Sequence, residues 1–248
     1  MKNTLFLPVL AVLLIFGCGK PNPNSTQSAF PSKAETKPQY DQTSFGVYKG
    51  VIIGSSGFIV FRINNGDNIV KGYLTIDDKK DTLSTTQTLV AGKPIVDLKF
   101  TGKFSSMVLN AEADGNSAEV TDIKIEGHPG NVAGIVVHEN STQQVFCYEG
   151  KFSGNQTGTF NCTKIGAGRG DSTEGFVSLY FAAKFALDTL YTGGGYLYHN
   201  EVEARIYNPS NWRSEFYIQG KFNNDNFTGT WDFSEVYGKG TFSCVRTY

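Results

Sequence analysis

Phe176 to Tyr191 reads FVSLYFAAKFALDTLY, and the period assigned to this stretch decides the fold class. Counted in twos, Val177, Leu179, Phe181, Ala183, Phe185 and Leu187 are apolar, while the alternate positions carry Ser178, Lys184 and Asp188. That alternation marks a half-buried strand. Counted at 3.6, with a cap at Ser172 or Thr173 and a stop at Gly193, the same residues make a helix. On the helical wheel Phe181 and Phe185 fall among the polar side chains, so the strand fits better and a helix over 176–191 is the alternative. Beyond Gly193-Gly194-Gly195 the alternation resumes, with Tyr196, Tyr198, Val202, Ala204 and Ile206 set against His199, Glu201, Glu203 and Arg205.

The surrounding sequence agrees with strands. Phe58–Ile63 and Ile69–Leu74 flank Asn64-Asn65-Gly66-Asp67, where Asn-Gly supplies the positive φ angles of a type I′ hairpin turn. Asp114-Gly115 stands in the same way between Met107–Ala111 and Ala118–Ile125. An internal echo links Tyr148-Glu149-Gly150-Lys151-Phe152 … Thr157-Gly158-Thr159-Phe160 with Ile218-Gln219-Gly220-Lys221-Phe222 … Phe227-Thr228-Gly229-Thr230-Trp231, and Thr101-Gly102-Lys103-Phe104 is a partial third copy. Pairing Phe222 with Phe227 sets Gly220 against Gly229, Ile218 against Trp231 and Phe216 against Phe233, all on one face. Glycines recurring within strands mark bends or close backbone approaches. The expectation is an all-β antiparallel meander, closed as a barrel or folded as a sandwich, with two related halves at 45–164 and 176–248 joined by a Gly-rich connection at 165–175.

Composition sets the limits. The 248 residues are 40% apolar and 18% charged, with 28 Gly, 19 Phe and 12 Tyr, which excludes a disordered chain, a collagen and a coiled coil. A net charge of −1 gives no electrostatic basis for nucleic-acid binding. Arg62, Lys71, Glu149 and Lys184 interrupt the strand faces and argue against a membrane-spanning barrel.

Side chains suited to catalysis are sparse. His128, His138 and His199 have no metal-ligand spacing, and Lys79 and Lys80 offset Asp77, Asp78 and Asp81 in what reads as a solvated turn. Neither a nucleophile elbow nor a phosphate-binding loop occurs, so no catalytic residue, metal or cofactor is assigned. Cys147, Cys162 and Cys244 lie in the body of the chain. A two-residue turn at Gly154-Asn155 sets Cys147 opposite Cys162 and makes them the expected disulfide; a three-residue loop sends them to opposite faces. Cys162 and Cys244 share the context Gly-Thr-Phe-x-Cys and are the competing pair, and three buried thiols are the remaining alternative. Arg169-Gly170-Asp171 resembles the Arg-Gly-Asp loop of adhesive extracellular proteins, which would imply an adhesin.

The N-terminus gives the address. Met1-Lys2-Asn3 carries one positive side chain, Leu5 to Phe16 is apolar, and Gly17-Cys18 closes the run, which is too short to span a bilayer. Ile15-Phe16-Gly17-Cys18 resembles a bacterial lipobox, the signal-peptide end of lipoprotein precursors. The resemblance implies cleavage after residue 17, lipidation of Cys18, and a cell-envelope location at the outer membrane of a Gram-negative bacterium. The polar, Pro-rich stretch from residue 18 to 44 reads as a flexible linker. Asp81-Thr82-Leu83, Asp171-Ser172-Thr173 and Asp188-Thr189-Leu190 are similar to short O-glycosylation acceptors of exported Bacteroidetes proteins. The expected partners are a membrane, through the lipid, and an unidentified protein or small-molecule ligand bound without catalysis. A surface hydrolase acting on glycans or lipids is the enzymatic alternative.

Overall fold

The computed structural model describes residues 30–128, 132–166, 178–185, 190–207, 215–233 and 238–248. After a short 3₁₀ turn at Pro38–Tyr40 come β1 (Gly46–Ile53), β2 (Gly57–Ile63), β3 (Val70–Ile76), β4 (Lys79–Ser84), β5 (Ile95–Thr101), β6 (Ser105–Ala111), β7 (Glu119–Ile125) and β8 (Ala133–Glu139). They form one closed antiparallel barrel, in which β1 pairs with β8 from Val47↔Glu139 to Ile53↔Ala133. Its thin places are the β4–β5 and β7–β8 joins, each a single residue pair. A second closed barrel contains β9 (Val145–Gly154), β10 (Gly158–Ile165), β11 (Ser178–Phe185), β12 (Leu190–Tyr198), β13 (Glu201–Tyr207), β14 (Glu215–Asn223), β15 (Asn226–Phe233) and β16 (Gly238–Arg246). Here β9 pairs with both β10 and β16.

Where it is described, the contested stretch is strand: β11 lies within it and β12 begins at its end. The aromatic register also holds, with Phe222↔Phe227, Gly220↔Gly229 and Ile218↔Trp231 paired. The division of the chain differs from the expectation. The barrels meet at residues 140–144, and the β9–β10 hairpin belongs to the second barrel, so both main copies of the echo are hairpins of the same barrel. The pairing of β10 with β11 places the hairpin in the second barrel, and the pairing of β9 with β16, strands far apart in sequence, closes that barrel on it. The Asn-Gly turn also differs. Ile63 pairs with Val70, leaving a six-residue loop in which Asn64, Gly66 and Asn68 take positive φ. Asn65 is buried there because its side chain is a clamp: Oδ1 accepts from Lys37 N at 3.0 Å and Nδ2 donates to Glu35 O at 2.9 Å.

An eight-stranded barrel has an interior that inward side chains can fill or that can hold one small ligand. In the second barrel Phe222 stacks on Phe227 at 4.2 Å, and Phe160, Phe242, Phe152 and Trp231 complete an aromatic filling. Phe61 and Phe100 sit at the centre of the first among aliphatic residues. The Phe242 ring covers the bare Gly220–Gly229 pair, since a Cβ at either glycine would lie 2.8 Å from its Cζ.

All eight residues of β1 are buried. Tyr48 and Ile52 belong to the first barrel's core, while the opposite face lies against β9, β10 and the N-terminal segment. Asn161 on β10 donates to Ile52 O at 2.6 Å and Ser55 O at 2.9 Å, fastening the barrels together through backbone acceptors. Residues 30–44, expected as the end of a flexible linker, are packed in this junction. Asp41 accepts from Ser141 N and Oγ, both at 2.7 Å, and Arg246 and Gln144 donate to Pro31 O.

Candidate functional site

Among the described residues the inward side chains pack into both barrel interiors, and a recess of about 740 Å³ on the outside of the second barrel is the candidate site. Strands β12, β13 and β14 build it. Tyr198 pairs with Glu201 across the two-residue turn His199-Asn200, whose φ angles of 51° and 64° are those of a type I′ turn. Tyr196 is then set against Glu203 and Gly194 against Arg205; on the next strand Glu203 faces Gln219 and Arg205 faces Tyr217. Tyr196 is 64% exposed and Tyr198 55%, whereas Leu197, Val202 and Ala204 point inward. Gln219 Nε2 donates to Tyr217 Oη at 3.1 Å and approaches Glu203 Oε1 at 3.4 Å, which orients three polar groups together. Lys221 Nζ is 3.7 Å from Glu201, and the Tyr198 ring lies 3.9 Å from that of His199. Sequence alternation placed Tyr196 and Tyr198 with the inward residues Val202 and Ala204. The two-residue turn reverses that parity and puts both tyrosines outside with the charged residues.

A second cluster has the residue types of a catalytic centre but no capacity for chemistry. Lys49 and Glu139 are both wholly buried, 2.6 Å apart, and Glu35 Oε2 is 3.0 Å from the same ammonium. Glu139 Oε1 also accepts from Val145 N, and its Oε2 from Glu35 N at 2.6 Å and Thr36 N at 3.3 Å. Arg62 pairs with Glu35 Oε1, Tyr248 Oη donates to Glu35 Oε2 at 2.9 Å, and the Tyr248 ring lies under Lys49 Nζ at 5.1 Å. Burial works against ionisation of Glu35, but Lys49, Arg62 and Tyr248 outweigh it and hold the carboxyl below its usual range. Every carboxylate oxygen is committed, so the cluster is a clasp that ties residues 35–36, β1, β2, the inter-barrel connection and Tyr248 together.

The remaining candidate residues are dispersed. Cys18 and Arg169-Gly170-Asp171 lie outside the described residues. Cys147 and Cys162 do not form the expected disulfide: Cys147 is registered with Thr163 and Cys162 with Tyr148, so the two thiols stand on opposite faces, both free and buried. The reason is loop length, because Phe152 pairs with Gly158 and five residues intervene rather than two. Cys244 is also free; its Sγ lies 3.3 Å from Phe160 O. Burial pushes the Cys147 thiol up to about 12, which removes it as a nucleophile at neutral pH. Asp77 and Asp78 form the tight β3–β4 turn, but Asp81 is not part of a solvated cluster. It is buried, accepting from Lys103 N at 2.9 Å, Phe104 N at 3.0 Å and Ser105 Oγ at 2.7 Å. Of the three glycosylation-like tripeptides, Asp81-Thr82-Leu83 lies within β4 with only Thr82 exposed. Among the described residues no group of His, Cys, Asp and Glu could hold a metal ion.

His138 is half-buried against Tyr48, ring centroids 4.7 Å apart, with Nε2 2.9 Å from Phe45 O. Burial lowers its pKa below 6.5, against the opposing pull of the Phe45 carbonyl, Asp41 and Asp114. Between that lowered value and 6.5 the unfolded chain binds a proton that the native imidazole refuses. Stability therefore falls as pH drops through 6.5 towards the native value. His138→Gln, which keeps an N–H donor, is expected to flatten this part of the profile, read as urea midpoints at about pH 7.5 and about pH 5.5. An unchanged difference between those midpoints would assign the pH dependence to other groups.

The chain matches no protein-family model, and no curated protein matches it in sequence.

Proposed function

We propose that the chain is an exported cell-envelope protein, anchored by lipid at Cys18 to the outer membrane, that binds a ligand without catalysis in the β12–β14 recess. The recess is the observation that carries the binding reading. It combines exposed aromatic faces, oriented polar groups and room for a ligand, whereas the described inward side chains are packed against one another and the clasp is saturated. The lipobox-like Ile15-Phe16-Gly17-Cys18 supports the anchor, and the clasp supplies a firm attachment point close behind it. From Cys18 to Phe30 the chain can reach at most about 40 Å, so a membrane anchored there would hold the barrels close to its surface.

Intact mass of the native protein, beside a Cys18→Ala variant, tests the anchor. The expected mature mass begins at Cys18 and carries diacyl or triacyl additions, with partition into detergent; Cys18→Ala loses both. An unacylated wild-type chain in the aqueous phase overturns the anchor. The barrels would then belong to a freely exported protein.

A further inference from the structure

We infer that the ligand of the β12–β14 recess is a neutral oligosaccharide; the inference rests on the binding reading above and narrows it to one chemistry. Four observations converge on this. First, Tyr196 and Tyr198 project from alternate positions of one strand, about 6.6 Å apart along it, and Tyr217 stands two strands away on the same outer face. Exposed aromatic rings offer flat apolar faces whose natural complement is another flat apolar face with a polar edge, as a sugar ring presents through its axial C–H groups.

Second, the charged groups are of both signs. Glu201, Glu203 and Arg205 line the recess, and Lys221, just beside it, lies 3.7 Å from Glu201 and offsets that carboxylate. A site of one sign would select an ionic ligand; among the described residues the charges here are mixed and largely offset. Third, the polar groups are planar, and part of them is already oriented. Glu203 and Arg205 are planar groups with two neighbouring acceptor or donor atoms, the geometry that grips a pair of adjacent hydroxyls, and Gln219 holds Glu203 and Tyr217 in place before any ligand arrives. Gly194, opposite Arg205, adds no side chain to the floor.

Fourth, the fold disfavours the main competitor. An extended peptide usually binds by adding a strand to an open sheet edge, and a closed barrel has none. Strands β12, β13 and β14 are each paired on both sides, so a peptide could use side chains alone.

The test uses the full acylated chain in detergent micelles, titrated with neutral oligosaccharides of α- and β-linked hexoses and N-acetylhexosamines, with acidic oligosaccharides and short peptides as comparison probes. Binding is read by calorimetry, and the oligosaccharide is recovered and sized afterwards. The expected result is saturable binding of a neutral oligosaccharide, weakened about tenfold or more by Tyr196→Ala and by Tyr217→Ala. Tyr73→Ala, at an exposed tyrosine on the first barrel, should leave it unchanged. If an acidic saccharide or a peptide binds and only that binding responds to Tyr196→Ala, the recess is a binding site and the neutral-saccharide inference is wrong. If nothing binds, or binding is indifferent to both recess variants, the inference and the reading beneath it fall together. Cleavage of the bound oligosaccharide, abolished by Glu203→Gln, would keep the saccharide and overturn the non-catalytic reading.

Discussion

Lys49→Met is expected to lower the stability of the protein by about 3–5 kcal/mol, the usual cost of removing one partner from a buried ion pair. The size follows from what remains. Methionine fills much the same volume, but Glu139, wholly buried, loses the ammonium 2.6 Å away and retains only backbone N–H donors. Glu35 keeps Arg62 and the Tyr248 hydroxyl, so the unpaired charge falls mainly on Glu139. A loss of this size is a large share of a typical domain's 5–15 kcal/mol. Its local signature should be release of the N-terminal strap, because Glu139 also accepts from Glu35 N and Thr36 N. Trypsin should then cut after Lys33 faster in the variant than in the wild type, Lys37 being protected by the proline that follows it. Adding Glu139→Gln to Lys49→Met should cost less than the sum of the two single changes, since each single change already removes the shared interaction. A loss below about 1 kcal/mol for Lys49→Met, in the range of solvated surface pairs, would show that the cluster is hydrated and not a clasp.

The clasp and the groove show what the sequence could and could not convey. Strand character was local and therefore legible. Alternation at 177–187 reported β11, and the requirement that Phe222, Gly220 and Ile218 all find partners on one face reported the β14–β15 register. Parity across a turn is not carried by alternation. One residue more or fewer in a loop moves every later side chain to the other face. That single uncertainty accounts for two misplacements: Cys147 and Cys162 on opposite faces, and Tyr196 and Tyr198 outside with Glu201 and Glu203. Burial of Lys49 had a different origin. On a strand whose alternate residues are Tyr48, Gly50 and Ile52, a lysine reads as solvent-facing, and only a second barrel and a polar segment laid over β1 bury it. Glu35 and Asn65 lie in stretches that read as spacer and turn for the same reason, since their partners are distant in sequence. The boundary between barrels was hidden likewise, because the β9–β16 pairs join residues roughly ninety apart.

Gly150→Ala is expected to cost about 3 kcal/mol or more, at the upper end of what an inserted methyl group does in a packed core. Gly150 sits where β9 closes the second barrel, between Phe160 on one side and Cys244 on the other. A Cβ there would lie 2.0 Å from Ser243 O, 2.5 Å from Cys244 Cα and 2.7 Å from Cys244 Sγ. Two of those three atoms are backbone, so no rotamer change relieves the contact; the seam itself would have to open. The first barrel repeats the arrangement, with a Cβ at Gly50 lying 1.8 Å from Ile135 O across the β1–β8 seam. Each barrel thus closes on its first strand at a residue without a side chain, and those two strands lie against one another at the junction. Close approach at the seam also serves the interface, for Gly50 O receives the Cys147 thiol at 3.4 Å. The control is Gly92→Ala, where φ is +71° and nothing lies within 4 Å of the added methyl. That change carries only the cost of a left-handed conformation, about 1–2 kcal/mol. Urea denaturation of both variants separates the two origins of glycine dependence. A Gly150→Ala loss no larger than that of Gly92→Ala would mean that the β9–β16 seam yields, and that closure of the second barrel does not depend on the bare backbone at this point.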